Sequence, residues 1–253
     1  MNNKIKISAV SYLNTLPFIY GIENKVKLYE QIELQKDIPS VCADKLIHDK
    51  VDIGLLPVAE ISKIRNPNII SNYCLGAVGK VDTVSLFSHI PIENVGKILL
   101  DYQSRTSVKL TKLLAKEYFK INPEFVNAEA GYEDNVNGNS AALIIGDRVF
   151  KYQNKFEYIY DLSEIWMKFT SFPFVFAVWV SNKKQNDAFI KDFNDALKFG
   201  LENINKIIAD YKKNNKTSKI NLKKYLKESI SFTFDNEKRK GMQVFLEKIK
   251  QLY

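Results

Sequence analysis

The sequence predicts an α/β chain of two hinged lobes that hold a ligand where they meet, and three observations carry that reading. Short apolar runs alternate with helix-like segments through the first half, as in domains built on a largely parallel sheet. Two extended segments, residues 81–87 and 174–180, set the middle of the chain apart. In the last third the apolar residues recur every three or four positions, which is the helical period. At 253 residues the chain suits one large domain or two small lobes. A hydrophobic fraction of 45% and a charged fraction of 26% belong to a folded globular chain and exclude a disordered tail or a fibrous repeat.

Taken in order, Ile5–Val10 reads as the first strand and residues 16–22 as a short helix behind Asn14 and Thr15. Residues 32–35 form a second strand, 40–47 a helix after Pro39, and 51–55 a third strand. Pro57 suits the first turn of a helix running to Ile64, and a fourth strand covers 70–77. The chain is extended through 81–87, then enters a smaller α/β unit opened by Lys97–Leu100. A helix at 106–119 puts Leu110, Leu113, Leu114 and Tyr118 on one face, with Ser104 as its N-cap. Residues 141–145 are apolar throughout, a buried strand that ends at Gly146-Asp147. Residues 174–180 read as a central strand covered on both faces.

Beyond that point strands are expected to disappear. Phe189, Phe193, Leu197, Leu201, Ile204 and Ile208 mark a helix behind Asn186-Asp187, and Met242, Phe245, Leu246 and Ile249 mark another behind Asp235. The Lys- and Asn-rich residues 212–219 between them are a polar loop. With both extended segments crossing between lobes, residues 1–84 and 178–253 make an outer lobe and residues 85–177 an inner one. The active site is expected in the cleft between them.

Several classes of chemistry find no support. His48 and His89 are the only histidines and neither sits at metal-ligand spacing with other donors, so no metal site is expected. His89, in a polar stretch before Pro91, is placed where an acid or base could act, but the favoured reading is an ordinary surface histidine. Cys42 and Cys74 lack CxxC spacing and read as buried, reduced thiols. There is no GxSxG elbow, no GxxxxGK[ST] loop and no GxGxxG turn. Residues 1–22 interrupt their apolar stretch with Ser8, Ser11, Asn14 and Thr15, unlike a signal peptide, and no stretch reaches the length of a membrane span. A cytoplasmic protein without membrane partners is therefore expected. Lys and Arg number 37 against 29 acidic residues, a net charge of +8, yet the only arginines are Arg65, Arg105, Arg148 and Arg239. Basic and aromatic residues do not interleave as in a nucleic-acid module, so no nucleic-acid partner is expected.

Polar clusters at strand ends are more informative, because open α/β sheets bind ligands beyond the carboxyl ends of their strands. Ser11-Tyr12-Leu13-Asn14-Thr15 follows the first strand, where Asn14 or Thr15 also serves as a helix cap. Ser104-Arg105-Thr106-Ser107 opens the helix at 106 with more polar residues than one cap needs. Helix-start donors together with hydroxyls form a site for a carboxylate or phosphate. Gly146-Asp147 is a third candidate, with Asp147 as a cap in the plainer reading. Asp52, Glu60, Asp101 and Glu164 lie near element boundaries, but no spacing pairs them as acid and base. The aromatic run from Trp166 to Trp179 reads as core with a rim near the hinge, or as a cover for a flat, unsaturated ring.

Five segments in order carry a family likeness: SYLNT at 11–15 with Tyr20-Gly21, VDIGLLPVAE at 51–60, SRTSV at 104–108, LIIGD at 143–147, and YDLSEIW at 160–166 with FPFVFAVWV at 172–180. Together they resemble the chorismate dehydratases of the futalosine route to menaquinone. The resemblance implies a periplasmic-binding-protein-like (type II) fold with a hinge of two crossing strands and C-terminal helices. It also implies dehydration of chorismate to 3-[(1-carboxyvinyl)oxy]benzoate without cofactor or metal. The family's catalytic asparagine falls on Asn14, and its hydroxyl residue, usually Ser, falls on Thr83 in Gly79-Lys80-Val81-Asp82-Thr83-Val84. Ser171-Phe172 stands where the family more often has Gly-Leu. On this reading Thr83 assists the leaving hydroxyl, and Thr106 and Ser107 hold a carboxylate. Ser11 and Asn14 hold the other polar edge, and Ser104, Arg105, Gly146 and Asp147 complete the substrate contacts. A non-catalytic two-lobed binding protein for a small anionic metabolite is the alternative.

Overall fold

The computed structural model describes residues 4–217 and 220–252. In chain order its strands are β1 (Ile5–Val10), β2 (Ile32–Asp37), β3 (Ile53–Pro57), β4 (Asn68–Ala77), β5 (Val84–Ser88), β6 (Lys97–Leu100), β7 (Glu124–Asn127), β8 (Ser140–Ile145), β9 (Tyr158–Asp161), β10 (Phe174–Ser181) and β11 (Ser231–Thr233). They form a six-stranded sheet, β11-β4-β10-β3-β1-β2, and a five-stranded sheet, β7-β6-β8-β5-β9. The chain divides into two compact α/β units, one from Met1–Leu75 with Ala177–Phe234, the other from Gly76–Phe176 with Asp235–Tyr253.

In the first unit β1 runs parallel to both β2 and β3, while β10 runs antiparallel to β3. The carboxyl ends of β1, β2 and β3 therefore share one edge of the sheet. The core is aromatic: Trp179 meets Phe18 at 5.9 Å and Phe193 at 5.1 Å edge-on, and Phe18 meets Phe232 at 5.4 Å. Two helices, Leu16–Glu23 and Asp187–Glu202, approach backbone to backbone because each carries a glycine at the contact. A Cβ on Gly21 would stand 1.9 Å from the Ala196 carbonyl oxygen, and one on Gly200 would stand 1.7 Å from that of Pro17. Beneath the sheet Ser8 donates to Asp37 at 2.7 Å and to the Cys42 sulfur at 3.1 Å, and Lys45 neutralises Asp37. Burial pushes the Cys42 thiol up to about 12, so it stays protonated and unreactive.

In the second unit β6 is parallel to β7 and β8, and β5 is antiparallel to β8 and β9. The helix Thr106–Glu117 buries Leu110, Leu113 and Leu114. Trp166 packs edge-on against Phe174 at 5.4 Å and Phe245 at 5.8 Å.

The elements differ from the sequence reading at identifiable places. The third strand is Ile53–Pro57 rather than 51–55, and Pro57 ends it instead of opening an α-helix; Val58–Lys63 follows as a 3-10 helix. Tyr118, expected on the apolar face, is exposed at the C-cap, where its ring meets Phe119 and Phe169. The periodic run from Phe189 breaks at Asn203 into Asp187–Glu202 and Ile204–Asn214. β11 appears in the stretch expected to lack strands, because Phe232 and Phe234 bury their rings and the Phe234 N–H donates to the Asn72 carbonyl at 2.8 Å. Of the polar stretch at 212–219, the first three residues are helical, and Ser218 and Lys219 lie outside the described residues. Met1, Asn2 and Asn3, part of the segment read against a signal peptide, also lie outside them.

The two units also divide the chain at other places than the expected lobe boundaries. The first crossing lies within β4, at Leu75 and Gly76, and residues 81–87 belong wholly to the second unit; the later crossing lies within β10 at Phe176 and Ala177, and a third follows Phe234. The C-terminal helix Asn236–Lys250 belongs to the second unit, not to an outer lobe holding both chain ends. Phe245 fixes it there, against Trp166 and Phe174, and Gly241 lies so close that an added Cβ would stand 2.3 Å from the Pro173 carbonyl oxygen. Among the described residues no helix is long and apolar enough to cross a membrane.

Gly200→Ala should lower the stability of the fold by about 1–3 kcal/mol, the usual cost of forcing atoms into a packed contact. Urea unfolding checks this. A midpoint equal to that of the unaltered chain would show that the two helices do not approach through these glycines.

Candidate functional site

In the first unit the edge made by the carboxyl ends of β1, β2 and β3 carries the SYLNT segment. The exposed Ser11 donates its backbone N–H to the Asp37 carbonyl at 2.9 Å, tying the ends of β1 and β2 together. Leu13–Thr15 forms a 3-10 turn, followed at once by the helix with Pro17 in its first turn. Neither Asn14 nor Thr15 caps that helix with its side chain. Instead the fully buried Thr15 donates its hydroxyl to the Asn14 side-chain oxygen at 3.1 Å. The amide is thereby oriented, and its NH2 makes no hydrogen bond among the described residues. At the same edge, beyond β3, lies Glu60, whose side chain is 3% exposed and lies 2.7 Å from Lys63.

In the second unit three segments named from the sequence gather at one edge of the five-stranded sheet. The Gly146 N–H donates to the Thr83 carbonyl at 2.9 Å, so the segment after β8 and the one before β5 are joined. Gly146 takes a left-handed φ of 65° there, a conformation open to glycine at little cost. Asp147 is half-buried in the 3-10 turn Gly146–Arg148.

The Ser104–Ser107 stretch lies next to them, beyond β6. The N-cap is Arg105 rather than the expected Ser104; Ser104, one residue earlier, accepts the Ser107 N–H on its Oγ at 3.0 Å, while the Thr106 hydroxyl donates to the Phe176 carbonyl at 3.1 Å. Two of the three hydroxyls are therefore committed to the fold. The Ser107 hydroxyl takes no hydrogen bond among the described residues, and Arg105 is exposed.

What binds the ends of β6 and β8 together is a cluster the sequence reading did not assemble. The Arg148 guanidinium reaches both Asp101 and Glu133, and the Tyr132 hydroxyl donates to Asp101 at 2.7 Å and contacts the Leu143 carbonyl. The Tyr102 ring lies 5.4 Å from the guanidinium. Burial holds the Asp101 carboxyl above its ordinary range, with Arg148 pulling it back down. The one usable signal was an Arg, one of four in a Lys-rich chain, directly after a strand-end Gly-Asp.

Asp161 is the other residue missed. Its two oxygens accept four backbone N–H groups, those of Ser163 (3.0 Å), Glu164 (3.1 Å), Val81 (3.0 Å) and Asp82 (2.8 Å). Burial pushes its carboxyl up to about 6 against the pull of those donors. The YDLSEIW segment contained it, but Asp before Leu-Ser-Glu reads simply as a helix cap. His89 is exposed and stacks on Phe156 at 4.7 Å, as a surface histidine does.

Residues 5–251 match the family model described as menaquinone biosynthesis. The chain belongs to that family. Among curated relatives of this menaquinone-biosynthesis protein is a chorismate dehydratase of Thermus thermophilus, 24% identical over 218 residues, which are 78% of this chain and 79% of the relative. A solved protein of Archaeoglobus fulgidus matches with a TM-score of 0.71 at 14% identity, covering 98% of this chain and 96% of its own. A Candida albicans gene product, described as having the generic periplasmic binding protein structural fold, matches with a TM-score of 0.65 at 13% identity, covering 99% of this chain and 94% of its own. The fold of this family member is thus periplasmic-binding-protein-like, as the sequence motifs implied.

Arg148→Met should cost about 3 kcal/mol, because it leaves two buried carboxylates without their cation. The sign with pH follows from Asp101. Burial raises its carboxyl above its ordinary value, so it binds a proton more readily in the folded chain, and part of the loss should return as pH falls from 8 to 5. Urea unfolding at the two pH values checks both statements, and a variant equally destabilised at both would place the loss in packing alone.

Proposed function

We propose that this chain is a hydro-lyase that converts chorismate to 3-[(1-carboxyvinyl)oxy]benzoate in menaquinone biosynthesis. The observation that carries the reading is the family match over residues 5–251, joined to a chorismate dehydratase among its relatives. The oriented Asn14 amide and the joined Thr83 and Gly146 segments support it.

The chemistry asks little acid strength of the protein. The C–H bond at the ring carbon bearing the enolpyruvyl ether breaks, its electron pair becomes a ring double bond, and hydroxide leaves the neighbouring carbon. Proton and hydroxide together are the water lost, and aromatisation drives the step. When the proton leaves first, negative charge spreads through the diene to the ring carboxylate, where fixed donors stabilise it. The Ser107 hydroxyl and the positive end of the Thr106–Glu117 helix supply that stabilisation, with Ser104 and Thr106 fixing the helix start and Arg105 adding charge. Thr83 donates to the departing hydroxyl, beside the backbone of Gly146 and Asp147.

An amide is a poor base, so the Asn14 NH2, with Ser11, orients the substrate's enolpyruvyl carboxylate to take the proton. The reaction is placed in the cytoplasm, where Cys42 and Cys74 remain reduced. No metal is required, and a strong chelator should leave the rate unchanged; a clear loss of rate would count against this mechanism.

Incubating the purified chain with chorismate and following the ring protons by NMR tests the assignment. Benzenoid signals of the product are expected, whereas binding without turnover would make the chain a binding protein. Asn14→Ala should lower kcat by about 100-fold, the order seen when one fixed donor is removed from a developing anion. Unchanged turnover in that variant would remove Asn14 from the mechanism.

A further inference from the structure

We infer that Asp161 is a positioning residue for the reaction, acting through the turn that presents Thr83. The inference rests on the reading of Thr83 given above and adds to it the group that holds it in place. Asp161 closes β9 and starts the helix Leu162–Thr170, and a cap needs only one of its oxygens: Oδ1 accepts the Ser163 and Glu164 N–H groups. Its second oxygen is turned to a segment 80 residues away in sequence and accepts two successive N–H groups, from Val81 and Asp82.

Two adjacent N–H groups aimed at one anion form a small concave nest, and here the chain fills it with its own carboxylate. The turn is not one a chain adopts unaided. Asp82 has a φ of 64° and Gly79 a φ of 80°, and a non-glycine residue in the left-handed region is held there by its surroundings. Asp82 also reaches Lys80 at 3.0 Å, a pair whose lysine is exposed to solvent and which adds little. The buried Asp161 carboxylate is therefore the main restraint on the turn. Thr83 follows directly, 1% exposed, and its carbonyl accepts the Gly146 N–H. The Thr83 hydroxyl thus stands on a backbone pinned on one side by Asp161 and on the other by β8.

A cap and a clamp are separable by substitution. Asp161→Ser keeps a good helix N-cap but has no second oxygen for Val81 and Asp82. Expected is a folded protein whose kcat for chorismate falls on the order of 10- to 100-fold, the scale of a misplacement near one ångström, with KM little changed. In the Thr83→Ala background the same substitution should have no further effect, since coupled residues fail to add. If Thr83→Ala lowers kcat while Asp161→Ser leaves it unchanged, or lowers it by the same factor with and without Thr83, the inference is overturned and the reading of Thr83 stands. If Thr83→Ala leaves turnover intact, that reading fails and this inference fails with it.

A measurement on the unaltered chain covers the case in which Asp161→Ser does not fold. The Val81 and Asp82 amides should exchange with solvent as slowly as those of Ser163 and Glu164. Fast exchange at Val81 and Asp82 would overturn the clamp without any variant.

Discussion

The second unit is organised around one guanidinium. Arg148 joins Asp101, beyond β6, to Glu133, and Tyr132 ties the same Asp101 to the backbone of β8. Two parallel strands bring their carboxyl ends close, but nothing in strand pairing fixes the loops that leave them. Here a charged pair in a largely buried setting does so, and the loops it fixes carry Ser104–Ser107 on one side and Gly146-Asp147 on the other. Such pairs are costly to desolvate, so their value lies in specifying geometry at this edge more than in raw stability.

Where the sequence was legible, the reason was local. Ile5–Val10, Lys97–Leu100 and the apolar run ending at Ile145 are bounded by polar or glycine residues, and the helices behind Asn186 and Asp235 carry caps that accept backbone N–H groups as expected. The errors arose where a tertiary fact decides. Pro57 fits a helix start and a strand end equally well by itself, and its pairing with Ala177 chooses the strand. An amphipathic helix such as Asn236–Lys250 announces a buried face but not the partner that covers it. β11 is three residues long and exists because β4 offers a neighbour.

The site was legible to a similar depth. Strand-end clusters identified the right segments, because backbone donors and small polar side chains collect where a parallel sheet stops. Which hydroxyls remain for a ligand was not legible, since Ser104 and Thr106 find partners three residues away and in a distant strand. Asp161 escaped notice for the complementary reason: its role as a cap is written in the neighbouring residues, whereas its second role depends on a turn that lies far off along the chain.

The route of the backbone through the two units has a consequence for biosynthesis. The first unit needs residues up to Phe234, and the second waits for Phe245 on the final helix to close over Trp166 and Phe174. Neither hydrophobic interior can be completed before the ribosome has passed Phe234. Nascent chains of this protein must therefore carry exposed strand edges and aromatic surface until those late residues have been made, the condition under which chaperone capture competes with aggregation.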